Sequence, residues 1–278
     1  MERYQEKLKH GKVLKGTHIF NDDLLTAHLI SECGFDYLWI DMEHTELGKR
    51  EVRDILLACH SGDKKPARFV RVPKNDPDIV KPILDMGADG IIFPMICTRE
   101  DVERAVASCY YPPKGVRGFF PREAIRHGLD DVSEYIKISG DRIWKLIQIE
   151  TKQAYENLDD ILENKQVDAF IIGPMDSSGA FGHLGDYHHP EVLSQIKTAI
   201  QKIRKAGRIA AVSVGDYDKE TVRFWLDLGV NMISMGSECG YILDGCRKTL
   251  ENMEQAIVSD DIITRRFYES YDADEYLW

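Results

Sequence analysis

The sequence predicts an α/β fold, a (β/α)8 TIM barrel built on a parallel eight-stranded barrel. Three observations predict it. The first is length: 278 residues suit one α/β barrel, which typically takes about 250. No Pro/Gly/Ser-rich linker interrupts the chain, so residues 1–278 read as a single domain. The second is a rhythm in which a short apolar run is followed by a longer helical stretch, a glycine and another apolar run. Gly34, Gly62, Gly87, Gly140, Gly207 and Gly229 mark that point. Glycine just past a helix suits the left-handed C′ position, where a Cβ would clash. The third is the count of such units, eight, with strands that are apolar throughout.

In order, strands are expected at 16–20 (GTHIF), 36–40 (within CGFDYLWI), 67–72 (ARFVRV), 89–93 (DGIIF), 143–149 (IWKLIQI), 168–172 (DAFII), 209–213 (IAAVS) and 231–235 (NMISM). Between them, DDLLTAHLISEC, KREVRDILLACH and DPDIVKPILDMG carry apolar residues at i, i+3, i+4 spacing, the mark of a helix with one buried face. An open doubly wound sheet is the structural alternative. No G-x-G-x-x-G or G-x-x-x-x-G-K follows a strand, so a nucleotide-binding fold has no supporting fingerprint, and no organic cofactor is expected.

Composition excludes several classes. Hydrophobic residues make up 43% and charged residues 30%, too apolar for a disordered chain. The net charge of −11 repels phosphate backbones and anionic lipid, which argues against nucleic acid and membrane as partners. No apolar run approaches the ~20 residues of a membrane span. The N-terminal MERYQEKLKHGK lacks the apolar core of a signal peptide, so a cytoplasmic location is expected. Six cysteines, none in a C-x-x-C pair, read as buried reduced thiols. The C-terminal stretch at about 260–278, ending FYESYDADEYLW, is aromatic and acidic and is expected to dock on the barrel or on another subunit.

In a barrel of this kind, chemistry is built at the carboxyl ends of the strands. Asp41, Met42, Glu43 and His44 follow the second strand, Arg71 ends the third, Gln148 and Glu150 close the fifth, and Gly173-Pro174-Met175-Asp176 follows the sixth. Strand side chains alternate, so Gln148 and Glu150 share a face. Glu150 and Asp176 fit an open octahedral site for a hard divalent metal such as Mg2+ or Mn2+, too sparse for a calcium cage; solvated surface carboxylates are the other reading. His44 is either a general base or an ordinary loop residue. Arg71 requires an anionic partner, either a substrate or a carboxylate on a neighbouring strand. Lys145 is out of phase with Gln148 and Glu150 and should face the helices, which disfavours imine chemistry.

The segments GFDYLWIDMEH, FVRVP, ILDMGADGIIFPM, YYPPKGVRG, QIET and IIGPMDSSGAFG, in this order from about residue 15 to about residue 250, resemble the HpcH/HpaI group of class II pyruvate aldolases. These include 2,4-dihydroxyhept-2-ene-1,7-dioate aldolase and 2-keto-3-deoxy sugar-acid aldolases. The resemblance implies a lyase dependent on a divalent metal (Mg2+, Mn2+ or Co2+) that reversibly cleaves a 4-hydroxy-2-oxo acid to pyruvate and an aldehyde. It implies Glu150 and Asp176 as metal ligands, His44 as general base, Arg71 beside the keto-enolate oxygen, Gln148 as a substrate contact, and the backbone of Met175 and Asp176 as receptor of the pyruvyl carboxylate. Asp85 matches a carboxylate that reaches the histidine from an adjoining subunit, and Asp41 is a second candidate to orient it. A homo-oligomer, trimer or hexamer, follows from the same likeness. Met175 stands where the group commonly has alanine, and Phe119 and Phe120 where it has small residues. Arg122, Arg126, His183, His188 and His189 are candidates for the aldehyde side, with solvent-exposed surface positions as the other reading. A citrate-forming or CoA-ester lyase of the same superfamily, or a catalytically silent binding barrel, are the competing readings.

Overall fold

The computed structural model describes residues 2–259. Helix α1 (Glu2–Lys9) precedes eight strands: β1 (Leu14–Ile19), β2 (Tyr37–Asp41), β3 (Ala67–Arg71), β4 (Gly90–Phe93), β5 (Trp144–Ile149), β6 (Ala169–Ile172), β7 (Ile209–Val214) and β8 (Met232–Ser237). Helices α2 (Leu24–Glu32), α3 (Lys49–His60), α4 (Pro77–Asp85), α5 (Arg99–Cys109), α6 (Val132–Arg142), α7 (Lys152–Glu156), α8 (Leu158–Leu162), α9 (Pro174–Ala180), α10 (Pro190–Lys205) and α11 (Lys219–Leu228) fill the connections. Each strand lies within two residues of its expected ends. Every neighbouring pair is parallel, and β1 pairs with both β2 and β8, so the sheet closes and the open-sheet alternative falls.

Local chemistry fixes the helix ends. Asp23, Asp76, Thr98, Asp131 and Asp218 each accept a hydrogen bond from a first-turn N–H of the helix that follows. Gly34, Gly87, Gly207 and Gly229 adopt the left-handed conformation expected of them. Gly62 and Gly140 do not: Gly140 lies inside α6, where a Cβ would run into the Tyr110 ring, and at Gly62 one would run into the Glu32 side chain.

Strand alternation sorts the interior into layers. Leu14, Tyr37, Trp39, Ala67, Phe69, Trp144, Leu146, Ile171, Ala211 and Met232 form one buried cluster, joined by Tyr4 of α1. Aromatic rings dominate it, with centroids 5.4 Å apart for Tyr37–Phe69 and Phe69–Trp144 and 5.9 Å for Tyr4–Trp144. Gly16 and Gly90 face these rings, and a Cβ at either would collide with them. The same phase, carried one step up each strand, brings His18, Asp41, Arg71, Gln148 and Ser213 to the layer above. Lys145 is in the opposite phase. Its ammonium donates to the carbonyls of Gly140 and Ile143 and lies 3.5 Å from Asp168, outside the barrel.

A second compact unit begins at Glu238 with helix α12 (Glu238–Ser259), which exposes Ile242, Leu243, Leu250, Met253 and Ile257. The aromatic tail at about 260–278 lies outside the described residues. None of the described helices is long and apolar enough to cross a membrane. Among the described residues the six cysteines are unpaired. Only Cys59 and Cys109 are buried, while Cys97 is half-buried and Cys33, Cys239 and Cys246 are exposed, so the expectation of buried thiols is met at two positions.

Candidate active site

The carboxyl ends of β2, β3, β5 and β6 bring one cation and several carboxylates together. Asp41 is fully buried at the end of β2 and clamps the Arg71 guanidinium at the end of β3. Arg71 Nε donates to Asp41 Oδ1 at 2.9 Å, and its Nη2 pairs with the other carboxylate oxygen. Burial alone would raise the Asp41 carboxyl, but the hydrogen bonds and charge of Arg71 and the Glu43 N–H hold it below the ordinary carboxylate range. Arg71 also meets Glu43 at 2.9 Å and lies over the Trp39 ring at 5.1 Å. The anionic partner that the sequence required of Arg71 is therefore, within this chain, a neighbouring-strand carboxylate.

Gln148 and Glu150 rise on the inner face of β5. Gln148 Nε2 donates to Glu150 Oε2 at 2.6 Å, and the Met95 N–H donates to Oε1 at 2.8 Å. Met95 reaches that position with a left-handed backbone, φ 55°. Burial pushes the Glu150 carboxyl up to about 7, with the charges of Glu43 and Asp176 adding to the rise, against the Met95 N–H and Arg71. Glu43 is likewise pushed up to about 7, chiefly by burial, although Arg71 opposes the shift. Asp176 and Met175 are exposed in the first turn of α9, whose N-cap is Gly173.

Two observations bear on a cation here. A Cβ on Gly173 would stand 3.0 Å from Glu150 Oε2 and 3.6 Å from Asp176 Oδ2, so the two carboxylates converge on space that this glycine leaves clear. Gln148 Oε1 is buried with no hydrogen-bond partner among the described residues, an unsatisfied acceptor on the side chain whose Nε2 holds Glu150. Oxygen donors with open positions suit a hard divalent ion, and the residues fit the metal that the sequence implied.

The remaining candidates lie elsewhere. His44 is at the rim, its side chain 65% exposed and its Nε2 3.8 Å from Glu43 Oε2. Asp41 faces Arg71. Asp85 ends α4 on the opposite, amino-terminal side of the barrel, where it accepts from Arg117 at 2.7 Å. Arg122 and Arg126 are exposed and pair with Glu123 and Asp130. In the loop after α9, His183 stacks on His189 at 3.4 Å and lies 3.3 Å from Glu191, whereas His188 packs against Tyr187 and Phe224. The sequence reading did not single out Glu43, His18, Ser213 or the Met95 N–H. Strand phase gives the signal for His18 and Ser213, since both continue the inward-facing series of their strands.

Residues 20–244 match the family profile described as HpcH/HpaI aldolase/citrate lyase. A hydroxypyruvate/pyruvate aldolase of Roseobacter denitrificans is 31% identical over 244 residues, covering 88% of this chain and 94% of that protein. A 4-hydroxy-2-oxo-heptane-1,7-dioate aldolase of Klebsiella pneumoniae is 34% identical over 242 residues, covering 87% and 90%. Among solved structures, an HpcH/HpaI aldolase/citrate lyase family protein from Burkholderia cenocepacia superimposes with a TM-score of 0.85 at 26% identity, covering 91% of this chain and all of the other.

Proposed function

The chain belongs to the HpcH/HpaI aldolase/citrate lyase family and is a carbon–carbon lyase, and we propose that it is a divalent-metal-dependent class II aldolase that reversibly cleaves a 4-hydroxy-2-oxo acid to pyruvate and an aldehyde. The observation that carries this reading is the convergence of Glu150 and Asp176 on the space above Gly173, next to a clamped arginine. Glu150 and Asp176 would hold the metal (Mg2+, Mn2+ or Co2+), which when bound would supply Lewis-acid polarisation of the 2-oxo carbonyl.

The chain's own groups do the rest. Arg71, fixed by Asp41, presents positive charge where the enolate oxygen becomes negative. By analogy with oxyanion holes, one such donor is worth ~3–4 kcal/mol of transition-state stabilisation. Arg71 cannot turn away as charge develops, because Asp41 and Glu43 hold it from two sides. Gln148, whose Nε2 holds Glu150, lies beneath the substrate as its contact in the layer below, and the backbone of Met175 and Asp176 receives the carboxylate. His44 takes the proton of the 4-hydroxyl. Asp85 lies on the other side of its own barrel and joins His44 only from an adjoining subunit, so this role requires a homo-oligomer.

Chelation tests the reading. Stripping with EDTA abolishes cleavage and consumes no protein stability beyond the metal's own contribution, and Mg2+, Mn2+ or Co2+ restores turnover. Full activity in excess chelator refutes it. Calorimetric titration of Mn2+ into wild type and Glu150→Gln, with binding lost in the variant, provides a readout independent of turnover.

A further inference from the structure

On the β7–β8–β1 side of the barrel, the inner layer carries a hydrogen-bond chain whose direction is fixed. His18 Nδ1 lies 2.7 Å from the Gly236 carbonyl oxygen. A carbonyl only accepts, so Nδ1 bears the proton and donates. Nε2 then has only a lone pair to offer, and Ser213 Oγ, 2.8 Å away, donates its single proton to it. A flipped ring would set carbons against both oxygens and lose both bonds, so this order is the one that satisfies them. The ring is stacked on Phe20 with centroids 5.4 Å apart and meets Trp39 edge-on at 5.4 Å. Burial pushes the His18 pKa down to about 4, so the neutral form holds this arrangement through the physiological range.

The consequence falls on Ser213. It sits near the carboxyl end of β7, half-exposed between buried Val212 and Val214. β7 is four strands from β3 in either direction around the closed sheet, so Ser213 faces the mouth opposite Arg71. A free serine hydroxyl donates or accepts as its partner demands. This one has committed its proton to His18 and keeps only its lone pairs for the mouth. A substrate hydroxyl gains a bond there, whereas a hydrogen or a group that can only accept gains nothing.

We propose that Ser213, with His18 as its positioning residue, accepts a hydrogen bond from a hydroxyl group of the substrate and so selects a hydroxylated substrate over its deoxy analogue. The inference rests on the aldolase reading above and deepens it. The hydroxyl belongs either to the aldehyde, as in a 2-hydroxyaldehyde, or to the oxo acid, as in a 3-hydroxy-2-oxo acid. The recognition chemistry is the same in both.

The experiment uses the full-length, metal-loaded protein and measures carbon–carbon bond formation for pyruvate or hydroxypyruvate with acetaldehyde or glycolaldehyde. Wild type favours a hydroxylated partner in kcat/KM by about tenfold or more. Ser213→Ala removes that preference through KM while leaving the pyruvate–acetaldehyde pair within about twofold of wild type. Ser213→Thr restores it. His18→Phe, which frees the Ser213 proton, lowers the ratio of kcat/KM for the hydroxylated partner to that for the deoxy partner. The arm that loses its advantage in Ser213→Ala identifies which half carries the hydroxyl. Equal kcat/KM of wild type on hydroxylated and deoxy partners overturns the inference whether or not the variants fold, as does a preference that survives in Ser213→Ala. Turnover without preference refutes this inference alone, and absence of turnover with every pair refutes the aldolase reading along with it.

Discussion

Replacing Gly173 with alanine tests the proposed metal site without touching either proposed ligand. The backbone at Gly173 has φ −97° and ψ 92°, values open to any L-residue, so the new methyl adds no conformational strain. It adds bulk at one point. The methyl carbon would stand 3.0 Å from Glu150 Oε2, 3.3 Å from Glu150 Cβ and 3.6 Å from Asp176 Oδ2. Carbon–carbon contacts settle at ~3.5–4.0 Å, so the Glu150 side chain must retreat by a few tenths of an ångström. That retreat pulls on the bonds from Gln148 Nε2 at 2.6 Å and the Met95 N–H at 2.8 Å, which fix the carboxylate in place. Overpacking of this kind costs ~1–3 kcal/mol. Paid mainly by the bound geometry, it weakens Mn2+ binding by roughly 10- to 100-fold. Titration of Mn2+ followed by calorimetry or electron paramagnetic resonance measures the change, and circular dichroism verifies that the barrel is intact. If Gly173→Ala binds Mn2+ as tightly as wild type, the two carboxylates do not share a cation in that space.

Three further outcomes are expected. Asp41→Asn removes the charge that faces Arg71. Because Glu43 remains at 2.9 Å, the loss stays near the lower end for a broken buried pair, ~3 kcal/mol, or a fall in Tm of roughly 6–12 °C, with kcat reduced as well; a Tm within error of wild type would show that the clamp carries no weight. Glu43 and Glu150 bind protons more tightly folded, at about 7, than at the ordinary 4.5. Their contribution to metal-free stability is therefore complete below that ordinary value and disappears as pH rises through 7. The Tm in EDTA should decline from pH 5 to pH 8, less steeply in Glu150→Gln, while Mn2+ affinity rises over the same range as the proton leaves; a flat Tm profile contradicts the assignment. Borohydride in the presence of pyruvate should leave the enzyme active, since Lys145 points out of the barrel, and a trapped covalent adduct would count against this mechanism.

Much of this was legible in the sequence because strand phase is a rigid code. Asp41 shares its phase with Tyr37 and Trp39, and Gln148 and Glu150 share theirs with Trp144 and Leu146, so their inward direction follows from counting by two. Lys145 falls outside the barrel by the same count. The code ends where the strand ends. Past Asp41 nothing in the residue order says that Glu43 turns in toward Arg71 while His44 turns out to solvent. His18 follows from the same count, since it shares its phase with Leu14 and Gly16. The Met95 N–H is backbone, and only the left-handed turn that aims it at Glu150 makes it part of the site. Asp85 is of another kind: within this chain it pairs with Arg117, away from His44, and strand phase says nothing of a helix-end residue.

The rings of Tyr37, Phe69 and Trp144, with Tyr4 drawn in beneath them, act as a stopper in the base of the barrel. Traffic therefore has a single doorway. Whatever reaches Arg71 and Glu150 enters and leaves over the carboxyl ends of the strands, because the aromatic layer beneath them has no gap. The direction of access is thus set from below, by residues far from the rim.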